Sequence, residues 1–119
     1  MVKTKLKPLL PSLREKKRYL AFEIISKSKI DDFKLVENAI FSSLHNLTGV
    51  IGLAKAGIIP MEDKWNPNLQ MGIIKVSHLC VDELKSALAL CKSINGSEVI
   101  FKSLKVTGVL NEAVRRLNA

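Results

Sequence analysis

The fold of this 119-residue chain is decided first by a seven-residue stretch, YLAFEII at positions 19–25. The stretch is rich in residues with high strand propensity. Leu20, Phe22 and Ile24 alternate along one face of it, and this period of two predicts a strand with a buried face. We therefore place the first strand of the domain here.

The residues before this strand differ from it in pattern and in charge. Pro8 and Pro11 interrupt residues 1–17, which show neither a helical nor a strand period. Residues 1–18 hold seven of the 19 Lys and Arg residues but one of the 11 Asp and Glu residues. We expect a basic N-terminal arm at 1–17 and a single domain at 18–119.

After the strand, helical and strand patterns follow in turn. A helix is predicted to begin at Asp31 and Asp32 and to end at Gly49. Residues 50–61 are apolar but contain Gly and Pro, which predicts a loop leading into a short strand at a sheet edge. The remaining predicted elements are a turn at 65–68, a strand at 69–77, a helix at 81–94 that Asn95 and Gly96 stop, a strand at 98–107 and a short helix at 111–117.

This element order, βαββαβ, predicts an α+β fold of the ferredoxin-like or RRM-like class. In that arrangement two helices cover one face of a four-stranded antiparallel sheet. A short C-terminal helix would follow the last strand.

The charge distribution indicates the class of partner. Residues 19–91 contain seven basic and eight acidic residues, whereas residues 92–119 contain five and two, and the formal net charge is +8. A nearly neutral domain with two basic ends predicts an extended polyanion as partner, such as RNA, DNA or an anionic membrane surface.

The sequence contains neither an apolar run of the roughly 18–20 residues that span a bilayer nor a secretory signal pattern. Cys80 and Cys91 are expected on one helix, about three turns apart, too distant to form a disulfide. We therefore expect a reduced, cytoplasmic protein that does not enter a membrane.

The sequence predicts no catalytic or metal site. The two cysteines, His45 and His78 are not spaced as a metal-ligand cluster, and no phosphate-binding loop is present. The predicted strand at 69–77 has no aromatic residue, so base stacking of the usual four-stranded RNA reader is not expected. Phosphate contacts by Lys and Arg are the remaining mode of RNA recognition.

Four segments in order resemble the archaeal ribonuclease P protein component 2 family, the small subunit that eukaryotes share between RNase P and RNase MRP. They are RYLAFEI at 18–24, GLAKAG at 52–57, GIIKVSH at 72–78 and VDELKSAL at 81–88. The resemblance implies a non-catalytic subunit of a ribonucleoprotein that removes the 5′ leader from precursor tRNA. It also implies that the RNA subunit is the catalyst and carries Mg²⁺, so no cofactor is expected in the protein.

The implied partners are the RNase P RNA and a larger TIM-barrel-like protein subunit, with a possible homodimer inside a heterotetramer. The residues expected to contact the RNA backbone are Lys3, Lys5, Lys7, Arg14, Lys16, Lys17, Arg18, Lys102, Lys105, Arg115 and Arg116. The residues expected at the protein interface are Ile51, Leu53, Ile58 and Ile59, from a segment more apolar than a free surface loop.

Two other functions fit the same residues. One is a ribosomal or general structured-RNA-binding protein of the same fold. The other, from a different class, is a ligand-sensing or oligomerisation module whose sheet packs on a second copy. Salt-dependent RNA binding distinguishes the RNA-binding functions from the module.

Overall fold

In the computed structural model, residues 16–118 are described. They form three helices and an antiparallel five-stranded sheet with strand order β2-β3-β1-β5-β4. In chain order, the elements are β1 (Lys17–Ser26), α1 (Phe33–Ala56), β2 (Ile59–Pro60), β3 (Met71–Ser77), α2 (Val81–Leu90), β4 (Ser93–Ile94), β5 (Ser97–Thr107) and α3 (Leu110–Leu117). Two short 3-10 turns, Glu62–Lys64 and His78–Cys80, precede β3 and α2.

The first strand is the centre of the sheet, and both of its faces are covered. Leu20, Phe22 and Ile24 are buried with residues of α1 and α2 in the main core, as the alternation predicted. On the opposite face, Ala21 is buried in a second cluster with Ile73 and α3. The strand begins at Lys17, inside the segment 1–17 that we expected to be an arm.

Helix α1 extends beyond its predicted end. Asp32 is its N-cap, and the carboxylate accepts a 2.9 Å hydrogen bond from the backbone N–H of Lys34. Gly49 interrupts the helix with φ 77° and ψ −176°, but helical backbone resumes and ends at Gly57, whose φ is 55°. Gly49 is therefore a kink rather than a terminus, because residues 50–56 contain no proline and bury Ala56 in the core.

The predicted sheet of four strands was one strand short. Helix α2 ends at Leu90 instead of residue 94, and Ser93 and Ile94 pair with Ser97 and Glu98. Asn95 and Gly96 form the two-residue turn between these strands, with φ values of 52° and 84°. Residues that tolerate positive φ serve helix ends and tight hairpins alike, which explains the error.

Because α2 ends at Leu90, the two cysteines do not lie where they were predicted. Cys80 and Cys91 flank α2 and do not share a helix, and no disulfide links them.

The predicted turn at 65–68 is present, since the Asn66 side chain accepts hydrogen bonds from the backbone N–H groups of Asn68 and Leu69. The predicted second strand at a sheet edge is β2, which pairs with β3 through Ile59 and Pro60.

Candidate nucleic-acid interface

On the sheet face opposite α1 and α2, the strand register places side chains of β3, β1 and β5 side by side in rows. Residues directly opposite one another on antiparallel strands point to the same face. On this face Tyr19 lies between Lys75 and Thr107, Ala21 between Ile73 and Lys105, and Glu23 between Met71 and Lys102. Three lysines from two strands, Lys75, Lys102 and Lys105, therefore share one face of the sheet.

Helix α3 covers the apolar part of this face. Its Ala113 and Leu117 are buried against Ala21 and Ile73. Small and aliphatic side chains at these four positions let the helix lie close to the sheet. Four-stranded RNA-binding sheets stack bases on an open sheet face. In this protein, α3 covers that face at Ala21 and Ile73.

A hydrogen-bonded connection fixes where α3 leaves the sheet. The hydroxyl of Thr107 donates to Oε1 of Glu112 at 2.7 Å and accepts from the backbone N–H of Val109 at 3.1 Å. Thr107 itself is buried, whereas Glu112 is half-buried at the edge of the connection. These hydrogen bonds place the first turn of α3 beside the end of β5.

As a result, charges from β5 and α3 meet in one groove. A cavity of about 410 Å³ is lined by Lys105, Glu112, Arg115 and Arg116. Lys102 and Lys105 are exposed on β5 and Arg115 is exposed on α3, whereas Arg116 is half-buried. Within residues 16–118, the ion pair found joins Lys64 to Asp63, so none of these four cations is neutralised by a salt bridge there.

The basic residues at the start of β1 are held by backbone contacts. The backbone N–H of His78 donates to the carbonyl of Lys16 at 2.9 Å, and the His78 ring Nδ1 lies 3.0 Å from the same oxygen. Arg18 is half-buried, donates to the Lys17 carbonyl at 3.2 Å, and lies against Gly108 at the end of β5. The Arg18 side chain at the start of β1 thus lies beside the end of β5. Lys3, Lys5, Lys7 and Arg14, also expected to contact RNA, lie outside the described residues.

Lys75 was missed by the sequence analysis. It lies in β3 on the same face as Lys102 and Lys105, opposite Tyr19. The alternation of Met71, Ile73 and Lys75 along the strand could have placed Lys75 on this face. To single out Lys75 as a candidate, one also had to know that the basic groove lies on the same face.

The four residues expected at a protein interface differ in exposure, and one of them is buried. Ile51 and Ile59 are 76% and 53% exposed, Leu53 is half-buried against the core, and Ile58 is 6% exposed within it. Ile51 lies on α1 after the kink, whereas Ile59 lies on the edge strand β2. In the folded chain Ile58 is a core residue, so it offers no surface to a partner.

The described residues contain no group of three or more His, Cys, Asp or Glu side chains that could hold a metal ion. None of the helices over residues 16–118 combines the length and apolarity that a membrane crossing needs. The candidate site is the basic groove beside α3, because it brings Lys105, Arg115 and Arg116 together in one cavity.

Comparison with known proteins gives the chain a family. A model of the Rpp14/Pop5 family matches residues 18–118. The chain is 37% identical to ribonuclease P protein component 2 of Thermococcus gammatolerans, over 99% of this chain and 96% of that protein. It is 36% identical to the protein of the same name from Pyrococcus furiosus, over 92% of this chain and 89% of that one.

The fold is also found in a solved structure. A chain in the cryo-EM structure of yeast ribonuclease MRP superposes with a TM-score of 0.63 and 16% sequence identity, covering 88% of each chain. That similarity concerns the architecture. Together with the match over residues 18–118, the sequence relatives show that the chain belongs to the Rpp14/Pop5 family.

Proposed function

We propose that this chain is a protein component of ribonuclease P that binds the RNA subunit and supports its removal of 5′ leaders from precursor tRNA. The observation that carries the proposal is the similarity to proteins named ribonuclease P protein component 2 over nearly the whole chain. The groove of Lys105, Arg115 and Arg116 supplies a physical means of holding RNA, because cations that form no salt bridge within residues 16–118 are available to phosphates.

The proposed role is to support the RNA rather than to perform the chemistry. Cationic side chains near crowded phosphates reduce the repulsion that opposes a compact RNA. The RNA can then fold and act at a lower Mg²⁺ concentration. We propose that Mg²⁺ belongs to the RNA and that the protein holds no cofactor of its own.

The partners we propose are the RNase P RNA and a larger, TIM-barrel-like protein subunit, with a homodimer of this chain as a possible part of a heterotetramer. Ile51 and Ile59 support a protein interface, because both are aliphatic and more than half exposed. We also propose that β1, β2, β3 and β5 form a ferredoxin-like core in which β4 is an addition to the sheet.

A reconstitution assay tests the function. Precursor tRNA cleavage is measured with the RNA subunit and the other protein subunits, with and without this chain, across a Mg²⁺ titration. We expect no cleavage by the chain alone and a lower Mg²⁺ requirement when it joins the complete mixture. Metal-dependent cleavage by the purified chain alone, abolished by a single carboxylate substitution, would contradict the proposal. If the chain binds structured RNA but changes nothing in this assay, it is a general RNA-binding protein instead.

A further inference from the structure

The outer edge of β5 is open over most of its length. On its inner side this 11-residue strand pairs with β1 from Val99 to Thr107. On its outer side it pairs with β4 at Ser97 and Glu98 only. Within residues 16–118, no other strand pairs with that outer edge.

Two hydrogen bonds show which backbone groups face this edge. The N–H of Val99 donates to the carbonyl of Lys92 at 2.9 Å, so it points outward, towards the β4 side. The N–H of Ile24, which lies opposite Phe101, donates to Gln70 at 2.8 Å and so points away from β5. Backbone groups alternate along an antiparallel strand, so the N–H and C=O of Phe101 and Ser103 face the open edge.

A cavity of about 750 Å³ lies where the open edge meets β4. Ile25 and Ile100 line it, lie directly opposite each other on β1 and β5, and are 49% and 63% exposed. Lys27, Lys92 and Glu98 also line the cavity, so two of its three charged lining residues are lysines, and Lys102 follows Ile100 on the same face of β5. The unpaired backbone groups of β5 therefore lie next to a cavity lined by Ile25 and Ile100 and next to exposed lysines.

We propose that the outer edge of β5 receives an extended segment of a partner protein as an additional strand of the sheet. Main-chain hydrogen bonds to Phe101 and Ser103 would supply the pairing, and an aliphatic side chain of the segment would enter the cavity beside Ile100. The segment carries acidic residues, because it would lie next to the exposed Lys27 and Lys92 that line the same cavity. This surface goes beyond the proposed function, and its test does not depend on RNA binding.

Hydrogen exchange provides the direct test. The assembly that co-purifies with a tagged form of this full-length chain is compared with the free chain by mass spectrometry, before and after ribonuclease treatment. We expect residues 100–106 to exchange about tenfold or more slowly in the assembly, with the protection retained after RNA is removed. Equal exchange in both samples overturns the proposal. Protection lost with the RNA, or protection of the free chain that rises with its own concentration, also overturns it, because RNA or a second copy would then be the occupant.

A matched pair of variants tests the backbone pairing itself. Ser103→Pro removes an outward N–H that pairs with nothing in the described chain, and proline is tolerated at such edge positions. Ser103→Ala removes the same hydroxyl but keeps the N–H. We expect Ser103→Pro to weaken recovery of the partner protein about tenfold or more and Ser103→Ala to leave it unchanged, with RNA affinity equal in both. Full recovery by a folded Ser103→Pro protein overturns the proposal, and the exchange experiment decides the matter if this variant does not fold.

Discussion

The hydroxyl of Thr107 donates a 2.7 Å hydrogen bond to Oε1 of Glu112, and this contact joins the end of β5 to the first turns of α3. The Thr107 hydroxyl oxygen also accepts a hydrogen bond from the backbone N–H of Val109, so one buried side chain makes both contacts of the connection. Because α3 carries Arg115 and Arg116, this connection sets where their charges lie relative to Lys105.

Replacing Thr107 with Val should therefore destabilise the protein. The variant keeps the shape of the side chain but leaves the Val109 N–H and the Glu112 carboxylate without this partner. We expect a loss of about 1–3 kcal/mol in the free energy of unfolding, measured by urea denaturation. Thr107→Ser, which retains the hydroxyl, serves as the control and should lose less. Equal stability of the Val variant and the wild type would show that the connection is not needed.

Removing the charges of the groove should weaken RNA binding and its dependence on salt. In the triple variant Lys105→Gln, Arg115→Gln, Arg116→Gln, each lost phosphate contact should make the slope of log K against log salt shallower by about 0.7 to 0.9. The control is Lys34→Gln, Lys55→Gln, Lys85→Gln, which makes the same charge change at exposed helix positions away from the groove. If both triple variants bind RNA equally, net charge rather than this groove governs binding.

Deleting residues 1–15 should separate RNA affinity from folding. The deletion removes Lys3, Lys5, Lys7, Arg14 and Glu15 but keeps Lys16, whose carbonyl accepts the His78 N–H. We expect RNA affinity at low salt to fall while the free energy of unfolding changes by less than about 1 kcal/mol. Filter binding and thermal melting measure the two quantities. An unfolded truncation product would show that this segment belongs to the core, and undiminished RNA binding would show that its charge has no role.

Substituting Gln70 should loosen the connection between β1 and α1. Its buried side-chain amide accepts from the N–H of Ile30 at 2.9 Å and donates to the carbonyls of Ile30 and Pro67 at 3.0 and 2.7 Å. Gln70→Ala leaves buried polar groups unpaired, so we expect a loss of about 2–3 kcal/mol in denaturation experiments. Leu69→Ala, at an exposed neighbouring position, should cost much less. If the two variants lose similar amounts of unfolding free energy, the hydrogen bonds of Gln70 do not stabilise the connection.

Aspartate at Ile58 and at Ile59 should have different effects. Ile58 is buried, so Ile58→Asp places a charge in the core and should unfold the protein. Ile59 is half exposed on the edge strand, so Ile59→Asp should keep the circular dichroism spectrum of the wild type. We expect the folded Ile59→Asp variant to bind the proposed larger protein subunit more weakly than the wild type does, as measured by co-purification. Full-strength pairing would remove Ile59 from the proposed interface.

Local pattern was sufficient for the elements whose periods are long and regular. The alternation of Leu20, Phe22 and Ile24 predicted β1 and its core face, and Asp32 marked the start of α1. These features depend on neighbours a few residues away, because strand alternation and capping are local properties of the backbone. The excess of basic residues at the two ends of the chain was likewise visible in the sequence alone.

Only the tertiary structure decided how ambiguous residues are used and which distant residues meet. Asn95 and Gly96 suit a helix end as well as a hairpin, and the nearness of β5 selects the hairpin. Ala21 is buried only because α3 folds back across the sheet, and that same packing brings Lys105 together with Arg115. Such contacts join residues far apart in the chain, so their free energy depends on the packing of the whole sheet rather than on any local pattern.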